Sequence, residues 1–246
     1  MLFTTSWDDG YGLDLTVAAL LKKNGLTGTF YVCPTHQHDR TMLTENQIRT
    51  LSGDFEIGAH TLTHRKLSTL MAGEAEQEIK GSKAWVEQVT GKPCDMFCYP
   101  KGDCGIAAQT FVKQAGYRGA RTTEQWRCEF SNPFAMPVSL QIMPFPLRRS
   151  FRPIWKILDP LGPLRANWRG LGKNNIPLSA RTSWLAMARA FFRNALKRNA
   201  PFFHLYGHSH EIERYGLWHD LAEFLEEAGH SGVTPVTNGS LASKHA

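Results

Sequence analysis

Apolar positions along the chain fall into two alternating patterns. Short runs rich in β-branched and aromatic residues occupy 2–7, 28–33, 56–59, 96–99, 117–121, 139–143, 202–206 and 234–237, and most end in Gly, Pro or a polar cluster. These read as strands. Between them, 14–24, 44–51, 72–90, 105–115, 182–199 and 216–228 repeat apolar residues every three or four positions, the signature of amphipathic helices. An acidic start and Gly25 bound the first helix, and Thr44 caps the second. Strands alternating with helices predict an α/β protein, a mostly parallel sheet or barrel of seven or eight strands in a single domain, 1–246. The stretch 145–177 departs from this rhythm. Pro146, Pro153, Pro160, Pro163 and Pro177 are scattered among Arg, Trp and Gly, which predicts an inserted lid or docking loop, at about 145–180, without long regular elements.

Composition excludes several classes. Hydrophobic residues make up 42% and charged residues 20%, too apolar for a disordered chain. There is no run long and apolar enough to span a bilayer. Two carboxylates, Asp8 and Asp9, come before any basic and apolar leader pattern, so a cytoplasmic protein is expected. Cys33, Cys94, Cys98, Cys104 and Cys128 include no CxxC pair and are expected to be reduced thiols. The net charge of +6 is uneven: residues 147–200 hold twelve Lys and Arg against Asp159 alone, a local +11, leaving −5 elsewhere. A basic segment on an acidic body points to phosphate, an anionic glycan or a peripheral anionic membrane surface as partner. No nucleic-acid motif accompanies the basic segment, so nucleic acid is not an expected partner.

The chemistry concentrates at predicted strand ends. Asp8 and Asp9 follow a hydrophobic strand and precede Gly10, which permits a sharp turn where barrel active sites are built. His60 and His64, four apart after another strand, have a spacing that lets both imidazoles approach one ion. Neither motif is specific alone, since about 0.4 His pairs at this spacing are expected by chance in such a chain, and His204 with His208 forms a second. A carboxylate with two neutral imidazoles suits a divalent ion, zinc best, with Co2+, Ni2+ or Mn2+ as alternatives.

Together the motifs carry a resemblance. Ser6-Trp7-Asp8-Asp9-Gly10 and His60-Thr61-Leu62-Thr63-His64 are similar to the first two signatures of the NodB-type polysaccharide deacetylase family. Tyr99-Pro100-Lys101-Gly102 and His204-Leu205-Tyr206-Gly207-His208-Ser209 resemble its later motifs, in the same order. The resemblance implies an incomplete or distorted (β/α) barrel and a metal-dependent hydrolase removing N-acetyl groups from an amino-sugar glycan. It implies Asp9, His60 and His64 as metal ligands, Asp8 as catalytic base, His208 as general acid, and the backbone N–H of Lys101 at the oxyanion. Tyr99, Trp126 and His210 are candidate substrate contacts, with His210 expected on the same strand face as His208. Trp155 and Trp168 are further candidates for stacking on sugar rings. Trp184, Phe191, Phe192 and Leu196 share helical spacing and are expected in the core.

Two departures stand out. Relatives place at Cys98 an Arg that steadies the catalytic Asp; Arg118 or Arg121 is the substitute available, although both also read as surface charges. No acid that would orient His208 is evident, since Glu124, Glu129 and Asp220 lack a diagnostic context. The basic insertion favours an anionic or lipid-linked glycan, with the protein peripheral at the inner membrane face. Two alternatives remain: a small-molecule amidohydrolase acting on another non-peptide C–N bond, and a non-catalytic glycan- or anion-binding relative.

Overall fold

In the computed structural model, which describes residues 1–35, 41–147 and 160–244, the sheet grows outward from its first strand. β1 (Leu2–Asp9) is flanked on one side by β2 (Thr29–Val32), β3 (Glu56–Ala59), β4 (Met96–Cys98) and β5 (Gly119–Arg121), and on the other by β7 (Phe202–Gly207) and β6 (Leu140–Gln141). All these pairings are parallel, and β8 (Thr234–Pro235) adds a short parallel pairing to the start of β1. Among the described residues no strand ladder joins β5 to β6. The sheet is therefore an incomplete, curled barrel, as the alternating pattern and the resemblance led us to expect. All eight expected strands form, some shorter than the apolar runs that announce them.

Helices α1 (Asp14–Lys23), α2 (Glu45–Leu51), α3 (Ala72–Thr90) and α4 (Ile106–Gln114) connect the first five strands. After the connection to β6 come α5 (Gly162–Lys173) and α6 (Trp184–Lys197), then α7 (Ser209–Tyr215), α8 (Trp218–His230) and α9 (Asn238–Ser243). None of the described helices is long and apolar enough to cross a membrane. The expectation that the insertion lacks long regular elements is corrected by α5. Its Pro163 lies in the first turn, where an amide hydrogen has no intrahelical partner to lose. Gly170 lets α5 press its backbone against the Trp126 indole, since a Cβ there would lie 2.3 Å from that ring. The last long helix also begins later than its apolar spacing suggests, because Gly216, at φ +67°, ends α7.

Parallel strands covered on both faces explain the burial of β1. Alternate residues divide between two environments. Phe3 faces the helices, its ring 5.9 Å from Phe192 and 6.5 Å from Phe224, and Trp184, Phe191 and Phe192 are buried in this layer as expected. Thr4, Ser6 and Asp8 face the barrel interior, which is polar and paired. Thr4 Oγ1 donates to Asn238 Oδ1 (2.9 Å), and Ser6 Oγ meets His204 Nε2 at 2.8 Å. Helix α9 closes the interior at the amino ends of the strands: Asn238 Nδ2 donates to Tyr31 Oη and the Gly239 amide to Glu56 Oε2. His204, the partner of His208 in the second His pair, is thus a structural residue at the centre of the barrel.

Burial, helped by the Arg121 charge, holds the His204 imidazole down at about 3, against about 6.5 for an unfolded histidine. Unfolding therefore takes up a proton between these two values, and stability falls as pH drops through that window. Replacing His204 with Gln should flatten the pH dependence of the unfolding free energy by up to about 1.4 kcal/mol per pH unit over that window, measured by urea denaturation at a series of pH values.

Candidate active site

Register brings the chemistry to one end of the barrel. Asp9 pairs with Val32, Val32 with Ala59 and Trp7 with Gly207, so Asp9, His60 and His208 all leave the sheet at the same carboxyl-end rim. There the backbone turns sharply. Asp9 (φ 79°), Gly10 (φ 76°), Thr61 (φ 64°), His64 (φ 55°) and Lys101 (φ 57°) all adopt left-handed conformations, uncommon for residues with a Cβ. The turn that Gly10 permits thus begins one residue earlier and swings the Asp9 carboxylate away from the path a continuing strand would give it.

Asp9 Oδ1 lies 3.5 Å from His60 Nε2 and 3.3 Å from His64 Nε2. One ligand atom from each of the three residues fits within a sphere of mutual distances no greater than 4.8 Å, a span one divalent cation can bridge. His60 is oriented for this, because its Nδ1 bonds the Cys98 carbonyl oxygen at 2.8 Å, which fixes the tautomer and turns Nε2 to the cluster. Burial depresses the His60 pKa despite the neighbouring carboxylates, keeping the ring neutral as a ligand requires. The loop between the histidines is braced by Glu78 of α3, which accepts from the amides of Leu62 (2.8 Å) and Thr63 (2.9 Å) and from Thr63 Oγ1 (2.6 Å). Glu78 was not singled out in the sequence.

Asp8 is 2% exposed and ion-paired to the guanidinium of Arg121, which is itself wholly buried. Burial opposes ionisation of Asp8, yet Arg121, His60 and His208 together outweigh it and the carboxyl stays below its ordinary range. Arg121, from β5, thus fills the role the resemblance assigns to position 98, and its reading as a surface charge is overturned. It lies between the rings of Tyr31 and Tyr206, 5.3 and 4.4 Å from their centroids. Arg118 is a surface residue near Asp95 (3.7 Å). The buried Cys98 thiol, 3.7 Å from Asp8 Oδ2, is pushed well up in pKa by burial and remains neutral.

His208 Nε2 is 3.9 Å from both Asp8 Oδ2 and Asp9 Oδ2. Its Nδ1 faces Glu211 Oε2 at 3.4 Å. Burial disfavours the imidazolium, but Glu211 and the two aspartates together raise the pKa to about 9. Glu211, three residues on, is the acid missing from the sequence reading; the i, i+3 spacing across the first turn of α7 was the available signal. Glu124 instead lies near Arg127.

Other expected contacts are redistributed. His210 is on α7, not on a strand face, because β7 ends at Gly207. Its ring packs on Tyr11 at 4.3 Å, 5.7 Å from that of His208. It lines a cavity of about 630 Å3 with Tyr11, Leu13, Gln47, Glu213 and Arg214. Tyr99 is wholly buried with its hydroxyl on the Phe134 carbonyl (3.0 Å), and Trp126 donates to Asn167 of α5 (3.0 Å) and packs on Phe191. Both are packing residues. Trp155 falls outside the described residues. All five cysteines are free thiols, as expected.

An open parallel barrel that gathers an Asp–His–His cluster, a second buried aspartate and a charged-state imidazole at one rim has the layout of a metal-assisted hydrolase site. Residues 3–120 match the model of the polysaccharide deacetylase family. The chain is similar to the peptidoglycan-N-acetylmuramic acid deacetylase PdaA of Bacillus subtilis, 28% identical over 120 residues that make up 48% of this chain and 43% of that protein. The match thus spans less than half of that curated relative. Among solved structures it resembles the chitin deacetylase of the fungal pathogen Colletotrichum lindemuthianum, with TM-score 0.60, 18% identity, and coverage of 97% of this chain and 86% of that one. It also resembles a CE4 family pseudoenzyme from Bacillus anthracis, with TM-score 0.58, 11% identity, and coverage of 98% and 65%. Both likenesses concern the fold.

Breaking a buried ion pair from one side strands the other charge. Arg121→Met should lower stability by about 3–5 kcal/mol, and a further Asp8→Asn should recover part of that loss. Urea unfolding of the two variants checks both.

Proposed function

We propose that the protein hydrolyses the N-acetyl group of an amino sugar within an oligo- or polysaccharide, with a divalent ion, zinc best suited, held by Asp9, His60 and His64. The supporting observation is the convergence of that triad with Asp8 and His208, from segments as far apart as residues 8 and 208, around one small volume. When bound, the cation supplies Lewis acidity that polarises the acetyl carbonyl and makes a water more acidic. Asp8 accepts the proton of the attacking water, an ionised base held in place by Arg121. The Lys101 amide donates to the developing oxyanion. His208, protonated and ion-paired with Glu211, gives its proton to the nitrogen as the C–N bond breaks, so the products are acetate and a free amine.

The same reading extends to an anionic or lipid-linked glycan at an anionic membrane face, with the protein in the cytoplasm. Along α5 the exposed positions include Arg165, Trp168, Arg169 and Lys173, with no acidic residue in the helix. Leu147, Leu161, Trp168 and Leu178, 50%, 52%, 56% and 75% exposed, are four of the seven large apolar side chains that project from the described surface. Bases interleaved with projecting Trp and Leu suit the interface of an anionic bilayer.

Asp9→Ala should weaken Zn2+ binding at least about 100-fold by calorimetry. Asp8→Asn should keep the metal and lower turnover about 100- to 10,000-fold, scored as acetate released from a panel of acetylated glycans. Release only from small acylated amides would replace the glycan by a small-molecule substrate. For the membrane face, vesicles containing anionic lipid should retain the protein at low salt and release it at high salt; salt-insensitive partitioning, or none, overturns that part.

A further inference from the structure

The acid Asp14 has no place in the chemistry proposed above, yet it is wholly buried near the rim. Its Oδ1 accepts a 2.6 Å hydrogen bond from Ser209 Oγ, across 195 residues of chain. Among the described residues its Oδ2 has no hydrogen-bond partner. The two residues sit at equivalent points of adjoining units. Asp14 opens α1 five residues after Asp9, its amide closing a turn onto the Tyr11 carbonyl (2.9 Å). Ser209 opens α7 directly after His208.

Helix α7 needs an external anchor. It has seven residues and begins at His208 with no side-chain cap, and a helix this short is marginal in isolation. Its first turn carries Glu211, the partner of His208 Nδ1. Two contacts fix that turn to the beginning of α1: the Asp14–Ser209 bond, and the packing of His210 on Tyr11 at 4.3 Å. We infer that the Asp14–Ser209 bond is a positioning device, setting the first turn of α7 so that Glu211 presents the His208 imidazole to the space between Asp8 and Asp9. Asp14 and Ser209 are positioning residues and touch no reacting atom. Burial pushes the Asp14 carboxyl well above its ordinary pKa, which disfavours a further negative charge beside Asp8, Asp9 and Glu211. An uncharged acceptor of the same shape therefore suffices, and Asn satisfies that requirement.

The inference rests on the deacetylase reading for its kinetic consequence, while its geometric consequence can be tested without any substrate. With metal-loaded protein, Ser209→Ala and Asp14→Ala should each lower kcat for acetate release about 10- to 100-fold, with KM and bound metal unchanged. The double variant should fall no further than either single one, because both remove one bond, and Asp14→Asn should restore most of the rate. Independently, the ring resonance of His208 should be a single sharp signal in the parent protein and should broaden or split in Ser209→Ala, which loses only a hydroxyl and should still fold. An unchanged His208 signal, additive losses in the double variant, or a rate loss that tracks metal loss would each overturn the assignment. If the parent protein releases no acetate from any glycan, the deacetylase reading fails, and the ring signal still decides this one.

Discussion

Asp8 and Arg121 place opposite charges inside the curled barrel, where both are buried almost completely. Desolvating two such groups is costly, and the cost is met only if the pairing is close and the remaining polar atoms are surrounded by compatible groups. The interior of this barrel supplies that setting. Tyr31 and Tyr206 flank the guanidinium with their π faces, Ser6 and His204 form the next paired layer, and Thr4 with Asn238 the layer below. An interior built from apolar side chains alone would offer the Asp8 carboxylate no counter-charge and would leave it protonated. The polar column along one face of β1 is therefore what allows an ionised carboxylate to stand at the rim.

The rim itself is built by loops whose backbone is forced into an unusual region. Left-handed conformations at Asp9, Thr61, His64 and Lys101 each cost on the order of 1 kcal/mol or more and persist only where surrounding contacts over-determine them. Those contacts are present. Glu78 makes three hydrogen bonds to the loop that separates His60 from His64, and the Cys98 carbonyl fixes the His60 ring. The cluster is thus organised by packing on α3 and β4 as much as by the three ligating side chains.

Much of this arrangement was legible in the residues. Periodicity located all eight strands, because parallel strands covered on both faces must be apolar over short runs, and the acid and histidine motifs stood out because they follow those runs directly. Arg121 was harder: a guanidinium at the end of a short strand has the same sequence signature whether it points to solvent or into the barrel, and only the curl of the sheet decides. Glu211 was hidden because a seven-residue helix after β7 leaves too few turns for periodicity to register. Helix α5 was masked by Pro160 and Pro177 on either side of it and by its one internal proline, Pro163, which sits at the tolerated first turn. Tyr99 and Trp126 have the composition of sugar-contacting residues, but the sheet turns the first into the core and α5 covers the second.

Carrying the guanidinium on β5 while Cys98 occupies the neighbouring strand has an evolutionary corollary. Cys98 and Arg121 are register partners on adjacent strands, and the Cys98 sulfur lies 3.7 Å from Asp8, so a guanidinium from either position would enter the same buried space. A lineage passing between the two arrangements must cross an intermediate with both arginines or with neither. Two guanidiniums would crowd like charges into a pocket already filled by Tyr31 and Tyr206, and none would leave a carboxylate that holds on to its proton. Either intermediate would be disfavoured at this buried site, which couples the residues tolerated at positions 98 and 121.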